Sequence, residues 1–166
     1  LLKAIPLVVR CRQDVEFVLA GPWSHEEDQR WARAFIAHEG IASYVRFTGQ
    51  VTGTDKQALF ETSHLFVFPG VQQEGQPLVV LEAMAAGLPV VYTDRGCLRE
   101  TLGDRECGVP VPINAPKDLA LQILWFLDHP LEMVAIGQAG RKRYEQRFTR
   151  EKHISAMIQV FEEVGT

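Results

Sequence analysis

The sequence has no paired cysteine spacing: Cys11, Cys97 and Cys107 are odd in number, scattered, and without a C-x-x-C pair. A disulfide framework or a zinc–thiolate site is therefore excluded, and the three read as small core or surface residues in a reducing compartment. The five histidines (His25, His38, His64, His129 and His153) are dispersed with no ligand spacing, so no metal site is expected. A net charge of −4 provides no broad basic surface, which argues against a nucleic-acid partner. No apolar run is long enough to span a bilayer, and no charged-then-apolar segment opens the chain. A cytoplasmic location is the expectation. The chain also lacks an initial Met and begins at Leu1 in mid-pattern, which reads as a piece of a longer protein.

What is present is one domain's worth of alternating pattern. At 166 residues the chain is long enough to bury a sizeable core. Short β-rich runs at 15–20, 44–48, 65–69, 89–93 and 108–111 alternate with helical stretches, as in a parallel α/β sheet. Each run ends in turn chemistry: Gly21-Pro22, Gly49, Pro69-Gly70, Asp94-Arg95-Gly96 and Pro112. Loops at the carboxyl ends of parallel strands are where open α/β sheets bind ligands. Ser24-His25-Glu26-Glu27 has capping-box spacing and predicts a helix running towards Gly40. Pro77 fits a first helical turn, with Gly87 as that helix's C′ residue. Asn114 is expected to cap a helix carrying Leu119, Ile123, Leu124 and Leu127. Thr149 is expected to cap the last helix, where Ile154, Met157, Ile158 and Phe161 share one apolar face.

The stretch from Glu74 to Val91 carries the functional signal. A glycine-bearing loop leads into a short helix whose free N–H groups and dipole suit a phosphate or diphosphate. Gly75 lets backbone approach a ligand with no Cβ in the way. Glu74 precedes the helix and Glu82 lies inside it. A carboxylate beside a phosphate site does not bind phosphate, because like charges repel. It accepts hydrogen bonds from hydroxyl groups, which sugars supply. One acid could hold a donor sugar and the other a ribose. On the residues alone, a solvated Glu82 and a loop-charge Glu74 are equally good accounts.

This stretch resembles the E-x7-E signature of GT4-type retaining glycosyltransferases, which have the GT-B fold. The similarity extends along the chain in order. Val15–Pro22 is similar to the family's second strand and turn, and Val45–Val51 to its F-x-G-x-V strand end. His64–Pro69, Thr93–Glu100 and Gly108–Pro112 continue the correspondence, as does Phe148-Thr149 near the end.

The resemblance implies a Rossmann-like parallel sheet with helices on both faces, the C-terminal half of a GT-B fold. Residues 1–166 would be the nucleotide-sugar-binding domain of a hexosyltransferase-type glycosyltransferase. The acceptor-binding N-terminal domain, the first strand of this domain and an Arg/Lys pair that neutralises the leaving diphosphate would precede Leu1. Glu74 would contact hydroxyls of the transferred sugar and Glu82 those of the ribose. Gly75, Gln76, Pro77 and Leu78 would face sugar and diphosphate, although Pro77 has no N–H. Gln50 and Val51 would lie beside the base, and Gly21 and Pro22 would shape the neighbouring wall. No cofactor is implied, the reaction is expected to be metal-independent, and no D-x-D pair sits on a loop. UDP-, GDP- and ADP-sugars remain alternatives for the donor. The acceptor would be a glycan, lipid-linked or other glycoconjugate in polysaccharide assembly, with room for peripheral membrane association of the full enzyme. The isolated piece would be inactive. Gly70 and Cys97 depart from the family pattern, standing where Ser or Thr and a second Gly are common. A nucleotide-sugar epimerase, a glucan phosphorylase and a non-catalytic nucleotide-sugar-binding module are the rival readings.

Overall fold

The computed structural model describes residues 1–72, 75–103 and 105–164. Five parallel strands form two sheets. In the first, β1 (Phe17–Ala20) pairs with β2 (Val45–Gly49), with Phe17 opposite Val45 and Leu19 opposite Phe47. In the second, β3 (Phe66–Phe68), β4 (Val90–Thr93) and β5 (Gly108–Val111) run in the order β3-β4-β5. All five expected strands are present: that at 108–111 as expected, that at 44–48 shifted by one residue to end at Gly49, and the other three trimmed by a residue or two. Tyr44 belongs to a 3-10 turn, Ala42–Tyr44, that delivers the chain into β2.

Helices lie on both faces, and the period-2 alternation of β4 shows why. Val90 and Tyr92 pack with Val80, Ala83 and Met84 of α4 (Leu78–Ala85) and with Leu98 and Leu102 of α5 (Leu98–Leu102). Val91, between them, faces Ala4 and Val8, around α1 (Ile5–Val9), and Leu119, Ile123 and Phe126 of α6 (Pro116–Asp128). A strand covered on both sides needs no polar face, and all four β4 residues are buried. A third cluster joins Ile5 and Val9 of α1 to Ile36 of α2 (Glu26–Glu39) over β1 and β2. The α1–α6 cluster also takes in Phe17 of β1 together with Leu65 and Val67 at β3, so one core bridges both sheets.

Several helix starts differ from expectation. The N-cap of α2 is His25, with no side-chain cap bond, so the Ser24 capping box does not form. The acids Glu26, Glu27 and Asp28 in the first turn complement the helix dipole instead. Asn114 does not cap α6. It adopts a left-handed φ of 54°, Ala115 is the cap, and Pro116 opens the helix with its φ already suited to it. Pro77 sits at the N-cap of α4, one position earlier than expected. Thr149 does cap α8 (Arg150–Val164), its hydroxyl accepting from the Lys152 N–H at 3.3 Å.

The patterns also missed α1, α3 (Gly53–Thr62), α5 and α7 (Pro130–Arg147). Of these, α1 and α3 open near Pro6 and Gly53, residues that read as breakers, and α5 is only one turn long. Helix α7 packs against α4 through Gly137, where a Cβ would come within 2.1 Å of the Gly87 carbonyl oxygen. Gly87 itself, at φ 76°, ends α4 in a Schellman motif: its N–H donates to Met84 O and the Leu88 N–H to Ala83 O.

Candidate functional site at the strand ends

The loops following the strands at their carboxyl ends are stitched to one another by short-range bonds. After β1, the Gly21 N–H donates to the Gly49 carbonyl at 2.8 Å, so the Gly21-Pro22 turn is tied to the end of β2. The rings of Trp23 and Phe47 lie 5.1 Å apart behind that joint. Gln50, exposed, and Val51, half-buried, follow directly and lead into α3 through Thr52. Across the second sheet, the Thr93 hydroxyl donates to the Gly70 carbonyl, joining the ends of β4 and β3. The Cys97 thiol donates to the Gly75 carbonyl and receives a bond from the Thr101 hydroxyl at 3.7 Å. Cys97 is thus a fastener between the loop after β4 and the loop before α4. Cys107, which unlike Cys97 is buried, has its thiol pushed up by burial, as suits a packing residue.

Helix α4 holds the expected ligand groups. Its backbone is anchored by Val80, Ala83 and Met84, all fully buried. In the first turn, the Leu78 and Val79 N–H groups have no acceptor within the helix, and the first backbone bond runs from Val80 N–H to Pro77 O. Gly75, Gln76 and Leu78 are exposed and Pro77 half-buried, so this segment is open to a ligand. Among the described residues nothing lies within 4 Å of a Cβ built on Gly75, and its φ is not left-handed. Glu74 lies outside the described residues.

Glu82 projects from the flank of α4 and meets Lys56 of α3. The Lys56 ammonium donates to Oε1 at 2.7 Å and lies 2.6 Å from Oε2. Oε2 is shielded from solvent and takes no well-aligned hydrogen bond among the described residues. The pair shows Glu82 engaged by Lys56 rather than standing alone in solvent. Lys56 is the site residue that sequence reasoning missed, because nothing in the 53–62 stretch marked a helix, and so no periodicity placed residue 56 beside α4.

A cavity of about 570 Å³ also opens at the ends of β3, β4 and β5, against Leu1, Trp31 and Leu119. Among the described residues its polar side chains are Lys3, Thr93 and Asn114, and none of the expected site residues lines it. Among the described residues no carboxylate lines it, whereas the α4 region holds Glu82.

The family described as "Glycosyl transferases group 1" matches residues 1–129. The chain is 31% identical over 169 residues to a phosphatidyl-myo-inositol mannosyltransferase of Mycobacterium leprae (strain TN), covering 100% of this chain and 42% of that protein. Among solved structures, a glycosyltransferase from Rickettsia africae ESF-5 superposes with a TM-score of 0.87 at 20% identity, over 99% of this chain and 43% of the other. Anabaena Alr3699/HepE in complex with UDP-glucose superposes with a TM-score of 0.85 at 20% identity, over 99% of this chain and 44% of the other. The chain thus spans about two fifths of the length of these proteins. Among the described residues, no single helix is long and apolar enough to cross a membrane.

Proposed function

The chain belongs to the group 1 glycosyl transferases, and on that premise we propose that it is the donor-binding domain of a retaining enzyme that transfers a sugar from a nucleoside-diphosphate sugar. The observation that carries this reading is the placement of Glu82 on a core-anchored helix at the ligand side of a parallel sheet, with the Leu78 and Val79 N–H groups, which have no acceptor within the helix, at the same helix's start. The N–H groups face the diphosphate and stabilise it as the bond from the anomeric carbon to the leaving oxygen breaks. Glu82 accepts from the ribose hydroxyls, and Glu74 from hydroxyls of the transferred sugar. Gln50 and Val51 stand beside the base, and the Gly21-Pro22 turn, bonded to Gly49, forms the adjoining wall.

Mannose is the sugar we favour, since the mycobacterial relative is named a mannosyltransferase. Its name, with phosphatidyl-myo-inositol as acceptor, also supports a lipid-linked acceptor and a peripheral membrane association of the whole enzyme. The acceptor is bound by a further domain, and chemistry takes place in the cleft between the two without a metal ion. We read the free edges of β1 and β3, which share one hydrophobic cluster, as the place of one more parallel strand from preceding residues. In a full-length protein, calorimetry against GDP-mannose, UDP-glucose and ADP-glucose tests the reading. Binding of one of these donors, with turnover that survives a chelator, is expected. Failure to bind any of them would refute it.

A further inference from the structure

The ion pair between α3 and α4 has no part in the scheme above, and its geometry is specific. Lys56 sits in the second turn of α3, four residues after the Thr52 cap and five after Val51. Its ammonium reaches both oxygens of Glu82, at 2.7 and 2.6 Å, with side chains 34% and 41% exposed. A pair this open to solvent contributes little to folding. What it does is local. A carboxylate on a flexible stem rotates freely, whereas one bridged by an ammonium presents its plane and its remaining lone pairs in a fixed direction. A ribose O–H donor meets the carboxylate at a fixed angle when that plane is held. The ammonium also neutralises Glu82, which otherwise stands unpaired beside a ligand with two negatively charged phosphates. Finally, the bond ties the helix that follows Gln50 and Val51 to the helix that carries Glu82, setting the base side and the ribose side in register.

We infer that Lys56 is a positioning residue for Glu82: it orients and neutralises that carboxylate so that it selects ribonucleotides over deoxyribonucleotides. The inference rests on the donor-site reading above. It is tested in the full-length protein by calorimetry with GDP, UDP and ADP and their 2′-deoxy counterparts, using wild type, Glu82→Gln, Lys56→Met and Lys56→Arg. Wild type should prefer the ribose form of its nucleotide by at least about tenfold, the scale of one well-placed charged hydrogen bond. Lys56→Met should reduce that preference to roughly the Glu82→Gln level, and Lys56→Arg should restore most of it. Thermal melts should stay unchanged across the set; if Lys56→Met melts early, Lys56→Gln replaces it in the comparison. Wild-type preference in Lys56→Met, with the preference lost in Glu82→Gln, would overturn the role of Lys56 and leave that of Glu82 standing. A wild type that binds one of the nucleotides with no ribose preference would overturn both roles, whereas one that binds none of the three would overturn the donor-site reading itself.

Discussion

Three carboxylates and one arginine carry the predictions at the scale of single residues. If Glu82 holds the ribose and Glu74 the sugar, truncation should separate them. Glu82→Ala should weaken sugar-free nucleoside diphosphate binding by at least about tenfold, and Glu74→Ala by much less, as read by titration. Equal losses would contradict the division of labour. Glu74→Gln in the full-length enzyme should lower turnover about tenfold or more, roughly 1.4 kcal/mol of transition-state stabilisation, with the melt unchanged. Far from the site, Arg12 donates to Asp14 at 2.9 Å and to Asp128 at 2.8 Å, joining the approach to β1 to the end of α6. The hydrogen bond from Arg12 holds the Asp14 carboxyl down, from an ordinary 3.8 to about 2. A depressed acid contributes stability that is whole above its unfolded value and is lost as pH falls through the folded one. The contribution of Asp14 should therefore persist above about pH 4 and vanish towards pH 2. NMR titration should give a midpoint near 2, rising towards the ordinary value in Arg12→Ala.

At the scale of elements, the position of α4 depends on a glycine in another helix. Gly137 of α7 admits the Gly87 carbonyl at the turn where α4 ends and the chain enters β4, and the Pro89 ring stands 3.2 Å from where a Cβ would be. Both neighbours are rigid, so Gly137→Ala cannot be absorbed by a side-chain rotation. It should destabilise the fold by about 1–3 kcal/mol, measured by denaturant unfolding. Because the strain falls on the helix that carries Glu82, nucleotide affinity should fall in parallel. Unchanged stability would show that α7 can shift off α4 freely. The single-turn α5 is bound differently: Arg143 of α7 donates to the carbonyls of Thr101 and Glu100, holding the helix that presents Cys97 to Gly75.

For the whole molecule, the prominent feature is apolar surface without a cover. Helix α8 has no buried residue, and Ile154, Met157, Ile158 and Phe161 along its apolar face are 41–68% exposed. Fully burying four such side chains is worth about 6–12 kcal/mol, and roughly half of that is unrealised here. With the free edges of β1 and β3 added, the 166-residue chain on its own should self-associate or melt with low cooperativity. Sedimentation is the check, with Ile158→Glu and Phe161→Glu expected to restore the monomer; a monodisperse wild type at high concentration would show the face to be harmless. The sequence by itself determined the α/β class, the order of the five strands, the Thr149 cap and the apolar stripe of α8, because each follows from interactions within a few residues. The E-x7-E stretch likewise put Glu82 on a helix at the strand ends through local pattern alone. Only the tertiary structure decided that α4 leans on Gly137, that the strands form two sheets over one bridging core, that Cys97 fastens Gly75, and that Lys56 meets Glu82. Those contacts join residues 22 to 50 positions apart, and their strength comes from packing and charge brought together by the fold, which no local periodicity encodes.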